Sequence, residues 1–188
     1  MDSRLDILTF KAVTKDNWKD FEALFEAKGG PKSCWCMVWR ATAEESKHRD
    51  GKSRKAFMHQ RVLHGTPVGI LGYLKGEAVA WCSIAPKETY RNLTGKQETE
   101  SQNVWSLACY YIKREHRSRG FIKQITKAAI SYARENGATT IEAYPVEQDS
   151  PSYRFMGFVP VFMEMGFKEI GMAGSRRHIM VIKASEGP

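Results

Sequence analysis

The chain has 188 residues, 42% apolar, 11% aromatic and 27% charged. That length suits one domain with a sizeable core, residues 1–188 with the core at about 5–184, and the aromatic content excludes disorder over most of it. The charge of +8, from 29 Lys plus Arg against 21 Asp plus Glu, fits an anionic partner (nucleic acid, a phosphorylated cofactor or an acidic substrate) without choosing among them. No run approaches the roughly 18 consecutive apolar residues of a membrane span, and the first ten residues, MDSRLDILTF, hold no apolar signal core. The expectation is a cytoplasmic protein without a membrane partner, in which Cys34, Cys36, Cys82 and Cys109 stay reduced and the sequon Asn92-Leu93-Thr94 is accidental.

Residues 7–13 are β-rich and partly alternating. Thr14 then opens a stretch that places Trp18, Phe21, Leu24 and Phe25 on one helical face, closed by Gly29-Gly30-Pro31. Thr42-Ala43-Glu44-Glu45 has the form of a capping box that starts a helix, Gly51 interrupts the charged stretch after it, and a further helix runs over about 53–64 with Phe57, Arg61 and His64 near one side. Residues 68–73 and 78–85 make a hairpin around Lys75-Gly76, ended by Pro86. A polar segment over 87–103 is either a loop over a site or a loop with a helical turn of its own.

Residues 104–112 are apolar on both faces, as a central strand should be. A basic turn from Lys113 to Gly120 follows, and then a helix with Ile122, Ile125, Ala129, Tyr132 and Ala133 on one face, ended by Asn136-Gly137. Residues 139–144 form a strand stopped by Pro145, which makes a parallel strand–helix–strand crossover. A short helix near 160–165, a Gly166-Phe167 corner and strands near 168–170 and 178–182 complete one mixed sheet with helices on its faces.

The strongest chemical signal is the junction at Gly120, where free backbone N–H groups at a helix N-terminus form a site for phosphate. Lys113, Arg114, Arg117, Arg119 and Lys123 surround it with positive charge; alternatively these cations are a solvated surface loop. Cys34-Trp35-Cys36 invites a zinc reading, but the gap is a single residue and no second pair follows, so no metal is expected. Trp35, Met37 and Trp39 read as lining beside a substrate opening or as core, and Cys109 as a small buried hydrophobe. Gly51-Lys52-Ser53 lacks the first glycine of a nucleotide-binding loop, Ser46 standing there, and the five histidines have no ligand spacing.

The string Arg117-Ser118-Arg119-Gly120-Phe121-Ile122 resembles the Arg/Gln-x-x-Gly-x-Gly/Ala turn of the GNAT superfamily of acetyl-CoA-dependent N-acetyltransferases. Gly76-Glu77-Ala78-Val79-Ala80-Trp81 with Pro86, the strand 104–112 and Met165-Gly166-Phe167 are similar to other parts of that family, in the same order. The resemblance implies an α/β (α+β) fold, a mostly antiparallel sheet whose central parallel strands splay apart. It implies acetyl-CoA as co-substrate, its diphosphate on Arg117, Ser118, Arg119, Gly120, Phe121 and Ile122, and its pantetheine arm along Cys109, Tyr110, Tyr111 and Ile112. A small-molecule amine would attack the thioester directly in a ternary complex, and a homodimer is possible.

Two residues depart from the pattern. Ile122 stands where Gly or Ala is usual, crowding the diphosphate, and Phe162 stands where many members place the Tyr that protonates the leaving thiolate. Tyr144, Tyr153 or Ser152, or water, would then supply that proton. Glu142, on the second splaying strand, is the candidate base for the incoming ammonium, or else a structural carboxylate paired with a cation. Two other functions compete: a coenzyme A-binding module without turnover, and a nucleic-acid-binding protein. The latter lacks a reading motif, so no nucleic-acid partner is expected.

Overall fold

A computed structural model describes residues 6–95 and 101–186. Its elements run β1 (Thr9–Ala12), α1 (Trp18–Glu26), α2 (Gly51–Leu63), β2 (Ile70–Leu74), β3 (Glu77–Pro86), β4 (Val104–Ile112), α3 (Phe121–Glu135), β5 (Thr140–Ala143), α4 (Val159–Glu164), β6 (Lys168–Ala173) and β7 (Arg177–Lys183). The seven strands make one sheet in the order β1-β2-β3-β4-β5-β7-β6, antiparallel throughout except for β4 and β5. This is the mixed α/β sheet expected from the element order.

Strand alternation divides the core between the two faces. Leu107 of β4, Ile141 of β5 and Met180 of β7 meet Phe121, Ile125 and Ala129 of α3 and Phe162 of α4. On the other face Trp81 of β3 and Cys109 of β4 meet Trp18, Phe21, Leu24 and Phe25 of α1 and Met58 and Val62 of α2. Full burial of each large side chain contributes about 1.5–3 kcal/mol, so the apolar stripe of α1 fixes that helix more firmly than its nine residues would alone. Thr14 and Asn17 close a reciprocal cap ahead of it, and in the β2–β3 hairpin both Lys75 and Gly76 have positive φ (50° and 85°).

Two expectations around α2 change. The reciprocal Thr42–Glu45 bonds do form, at 2.8 and 3.2 Å, but they cap only a single 3-10 turn over Glu45–Lys47. The helix itself starts at Gly51, capped by Asp50, whose carboxylate accepts from the Ser53 amide at 2.8 Å. Its buried residues are Met58 and Val62. Arg61 turns aside to grip Glu45 with both guanidinium nitrogens, at 2.8 and 2.7 Å, and the Arg40 carbonyl at 3.0 Å. This fork holds the Cys-containing loop before α2 against the helix. The polar segment after β3 begins with a 3-10 turn at Lys87–Thr89; part of it lies outside the described residues.

Candidate active site

The site arises where the two parallel strands part. β4 pairs with β5 only over its first four residues, Val104 to Leu107 against Thr140 to Ala143. β5 stops before Pro145, which has no N–H to give. On the opposite edge of β4, Ser83 and Ile84 of β3 face Cys109 and Leu107, so Ala108 is an extra residue, a β-bulge. Bulges bend and twist their strand. From Ala108 onward, among the described residues, β4 is paired with β3 alone, and its other edge faces a cleft of about 740 Å³.

The far wall comes from the chain after β5. Val146 bridges both Phe158 and Arg177, and the turn Arg154–Met156 folds back toward β4. Tyr153 enters that turn at φ 59° and Gly157 leaves it at φ 90°. A Cβ on Gly157 would lie 2.7 Å from the Phe162 ring, so this corner requires glycine. Phe155, Phe158 and Val161 line this wall opposite Cys109, Tyr110, Tyr111 and Ile112.

At one end of the cleft Ser118 (φ 59°) and Gly120 (φ 75°) turn the chain into α3. The first amides of α3 to find helix acceptors are those of Lys123 and Gln124, both toward the Gly120 carbonyl at 3.2 and 3.4 Å. The amides of Phe121 and Ile122 precede them at the positive end of the helix dipole, beside the cleft. Arg117, Ser118, Gly120, Phe121 and Ile122 all line it, with His116. Ile122 also packs on the core beneath.

The cations of the turn are distributed otherwise than composition suggests. Lys113 pairs with Glu77, Arg119 with Asp6 and Lys123 with Glu164. Arg119 also meets His116 at 3.0 Å and lies over the Phe121 ring, and it does not line the cleft. Arg117 does, steadied by its Nε bond to the Ile112 carbonyl at 3.0 Å.

The acid–base candidates fall outside the cleft. Glu142 is fully buried, 2.9 Å from Lys87 Nζ, and accepts from the Tyr144 hydroxyl at 2.9 Å. Tyr144 also meets Ser106 Oγ at 2.9 Å, and burial, followed by the Glu142 charge, pushes its phenol well up. Neither residue lines the cleft. Burial and the Lys87 contact fit the alternative of a structural carboxylate paired with a cation. Tyr153 is partly exposed beside Arg154 and Phe155, its ring 6.2 Å from that of Trp39. Phe162 is buried against Tyr110 and Phe167.

The Cys-containing loop closes the mouth. Trp35 and Met37 are core, whereas Cys34, Cys36, Val38 and Trp39 line the opening, with Trp35 and Cys36 in the left-handed region (φ 46° and 49°). A hydrogen bond to Cys36, then burial, raises the Cys34 thiol; burial, then a bond to Cys109, raises Cys36. These thiols stay protonated at neutral pH. Among the described residues no cluster of His, Cys, Asp and Glu suits a metal ion.

Sequence reasoning missed Arg40, the buried hub behind this loop. Its Nη2 serves the Val68 carbonyl, Ser83 Oγ and Tyr90 Oη at 2.8, 2.9 and 2.6 Å, and it lies 4.0 Å from the Tyr90 ring centre. The wall residues Arg154, Phe155, Phe158 and Val161 were missed as well. An arginine beside a Trp in an otherwise apolar segment was the one available signal for Arg40.

A sheet split between two central parallel strands, with a helix N-terminus at the end of the split, is the architecture that the resemblance to acetyl-CoA-dependent acyltransferases implies. The sequence model of the acetyltransferase (GNAT) family matches residues 12–158, and the chain belongs to that family. Among solved structures it is similar to AAC(6')-Ib in complex with Ribostamycin and coenzyme A (TM-score 0.61, 13% identity, 96% of each chain covered). The same protein in complex with Parmomycin and acetyl-CoA gives TM-score 0.60 at 12% identity, with 96% of each chain covered. An N-acetyltransferase from Staphylococcus aureus Mu50 gives TM-score 0.56 at 11% identity, covering 94% of this chain and 98% of that one. No curated protein matches the chain in sequence.

Proposed function

We propose that the protein transfers the acetyl group of acetyl-CoA to a primary amine of a small molecule by direct attack in a ternary complex. The observation that carries this is the cleft itself: an unpaired edge of β4 over residues 109–112, leading to the amides of Phe121 and Ile122 and to Arg117. The free edge offers N–H and C=O groups to an amide-bearing pantetheine arm, and an N–H there polarises the thioester carbonyl as negative charge develops on its oxygen. The helix terminus and Arg117 take the diphosphate. AAC(6')-Ib, with acetyl-CoA or coenzyme A and a small-molecule ligand bound, supports the arrangement.

Catalysis in this reading rests on holding the amine against the thioester. No carboxylate lines the cleft among the described residues, so the amine reacts as its neutral form and its proton passes to water. The leaving thiolate, stable beside an amine, takes a proton from water, since Phe162 has none to give. Thiol release from acetyl-CoA, followed across a library of amines and paired with calorimetric titration of coenzyme A, tests the proposal. Release with a subset of primary amines is expected. Calorimetric binding with no release for any amine would favour the binding module that Phe162 and Ile122 suggest.

A further inference from the structure

Three arginines gather where the far wall meets Trp39. Arg154 lines the cleft and gives its Nη1 to the Gln148 and Ser150 carbonyls. Arg176 Nη1 meets Ser152 Oγ at 3.0 Å. Arg177 lies 4.8 Å from the Trp39 ring centre and 5.4 Å from that of Tyr153, with Nη1 on the Leu93 carbonyl at 2.9 Å. Among the described residues none of the three pairs with a carboxylate, whereas Lys113, Arg119, Lys123 and Arg61 each do. Behind Trp39, among the described residues, the buried Arg40 likewise has neutral partners only, and its Nε and Nη1 have none.

Arg154 and Arg176 are open to water, whereas Arg177 is partly buried and has no carboxylate partner among the described residues. We propose that the amine acceptor also carries a carboxylate, which the Arg177 guanidinium, packed against the Trp39–Tyr153 pair of rings, receives just outside the cleft lining that Trp39 and Arg154 belong to. This rests on the acetyl-transfer reading above and names the substrate class for it. Arg177 is suited to the task because it packs on two rings and, among the described residues, only its Nη1 is engaged, leaving N–H donors for a planar oxyanion. Partial burial disfavours its charge, so an incoming anion relieves that penalty. The same arginines also act on the other end of the substrate. Positive surroundings disfavour an ammonium and raise the fraction of free amine, which assists the reaction in a cleft whose described lining has no carboxylate base.

The test follows thiol release from acetyl-CoA with a panel of amino acids, each beside the amine it gives on decarboxylation, for the wild type, Arg177→Gln and Arg177→Lys. A charged hydrogen-bonded contact predicts a KM about 10–100-fold lower for the acid than for its decarboxylated partner in the wild type. Arg177→Gln should raise KM for the acid by that factor with kcat nearly unchanged and leave the decarboxylated amine as it was; Arg177→Lys should restore part of the loss. Equal KM for acid and decarboxylated amine in the wild type overturns the proposal. So does an equal rise for both in Arg177→Gln, which would mark Arg177 as a prop for the Leu93 carbonyl. Calorimetric binding of acetyl-CoA without release for any carboxylate-bearing amine also overturns it. Absence of acetyl-CoA binding would instead remove the acetyl-transfer reading itself, and this one with it.

Discussion

Glu142→Gln separates a structural carboxylate from a catalytic one. In the wild type Glu142 Oε2 lies 2.9 Å from Lys87 Nζ and 2.9 Å from Tyr144 Oη, and the Glu142 side chain is fully buried. Removing one charge of a buried pair costs about 3–5 kcal/mol. Here the figure is smaller, because the Lys87 side chain keeps 27% of its exposure and regains water, and a glutamine carbonyl still accepts from Tyr144. A loss of about 1–3 kcal/mol is left, which for a domain of this size is a fall in melting temperature of about 2–12 °C. Thermal unfolding by circular dichroism reads that fall. Thiol release, measured well below the new melting temperature, should stay near the wild-type rate. A general base contributes about 10²–10⁴-fold. The reasoning is refuted if melting is unchanged while turnover drops by such a factor and recovers as the pH rises.

Gly120→Val places a branched side chain at φ 75° with no protein atom within 4 Å of its Cβ, so the backbone strain is about 1–2 kcal/mol and the new atoms project where the diphosphate would lie; coenzyme A affinity by calorimetry should fall severely, and an unchanged affinity would place the cofactor elsewhere. The Arg61 fork holds the Glu45 carboxyl below its usual 4.5, so the pair stabilises the fold above that pH and the contribution fades as acid protonates Glu45; Glu45→Gln should lower stability at pH 7 and flatten its decline below about pH 4.5 in denaturant titrations. Cys34, whose thiol is raised by its bond to Cys36 and by burial, should alkylate slowly at neutral pH, and more slowly still with coenzyme A bound, as mass spectrometry would report.

Much of the fold was legible because its signals were local. The run from Val104 to Ile112 is apolar between two polar segments, and the observed strand has those bounds. Gly120 and Asn136-Gly137 mark both ends of α3, as expected. The helix expected from Thr42 is a single 3-10 turn because a capping box is a few residues of local geometry and does not report whether a helix follows, whereas the further helix expected over about 53–64 is α2, Gly51–Leu63. The charge on the phosphate turn was overcounted for a different reason. Asp6 meets Arg119 across more than a hundred residues, and Glu77 and Glu164 come from other elements, so only the folded chain shows which cations are neutralised. Glu142 was read either as the base, from its place on the second splaying strand, or as a structural carboxylate paired with a cation. That place does not reveal Lys87, which arrives from the turn after β3. The far wall around Phe155 has no periodicity to betray it; it exists because Val146 and Gly157 bring a loop back to the sheet.

The bulge at Ala108 has a consequence for solubility as well as chemistry. A strand with one edge open is an invitation to another chain, and most sheets blunt such edges at their margins. Here the opening lies in the middle of the sheet, roofed by Trp39 and Val38 on one side and walled by Phe155 and Phe158 on the other. Those walls stand over the edge where a strand of a neighbouring chain would have to pair. The unpaired stretch is thereby kept inside a cleft of about 740 Å³ instead of on an outer margin of the sheet, where a second chain could add to it.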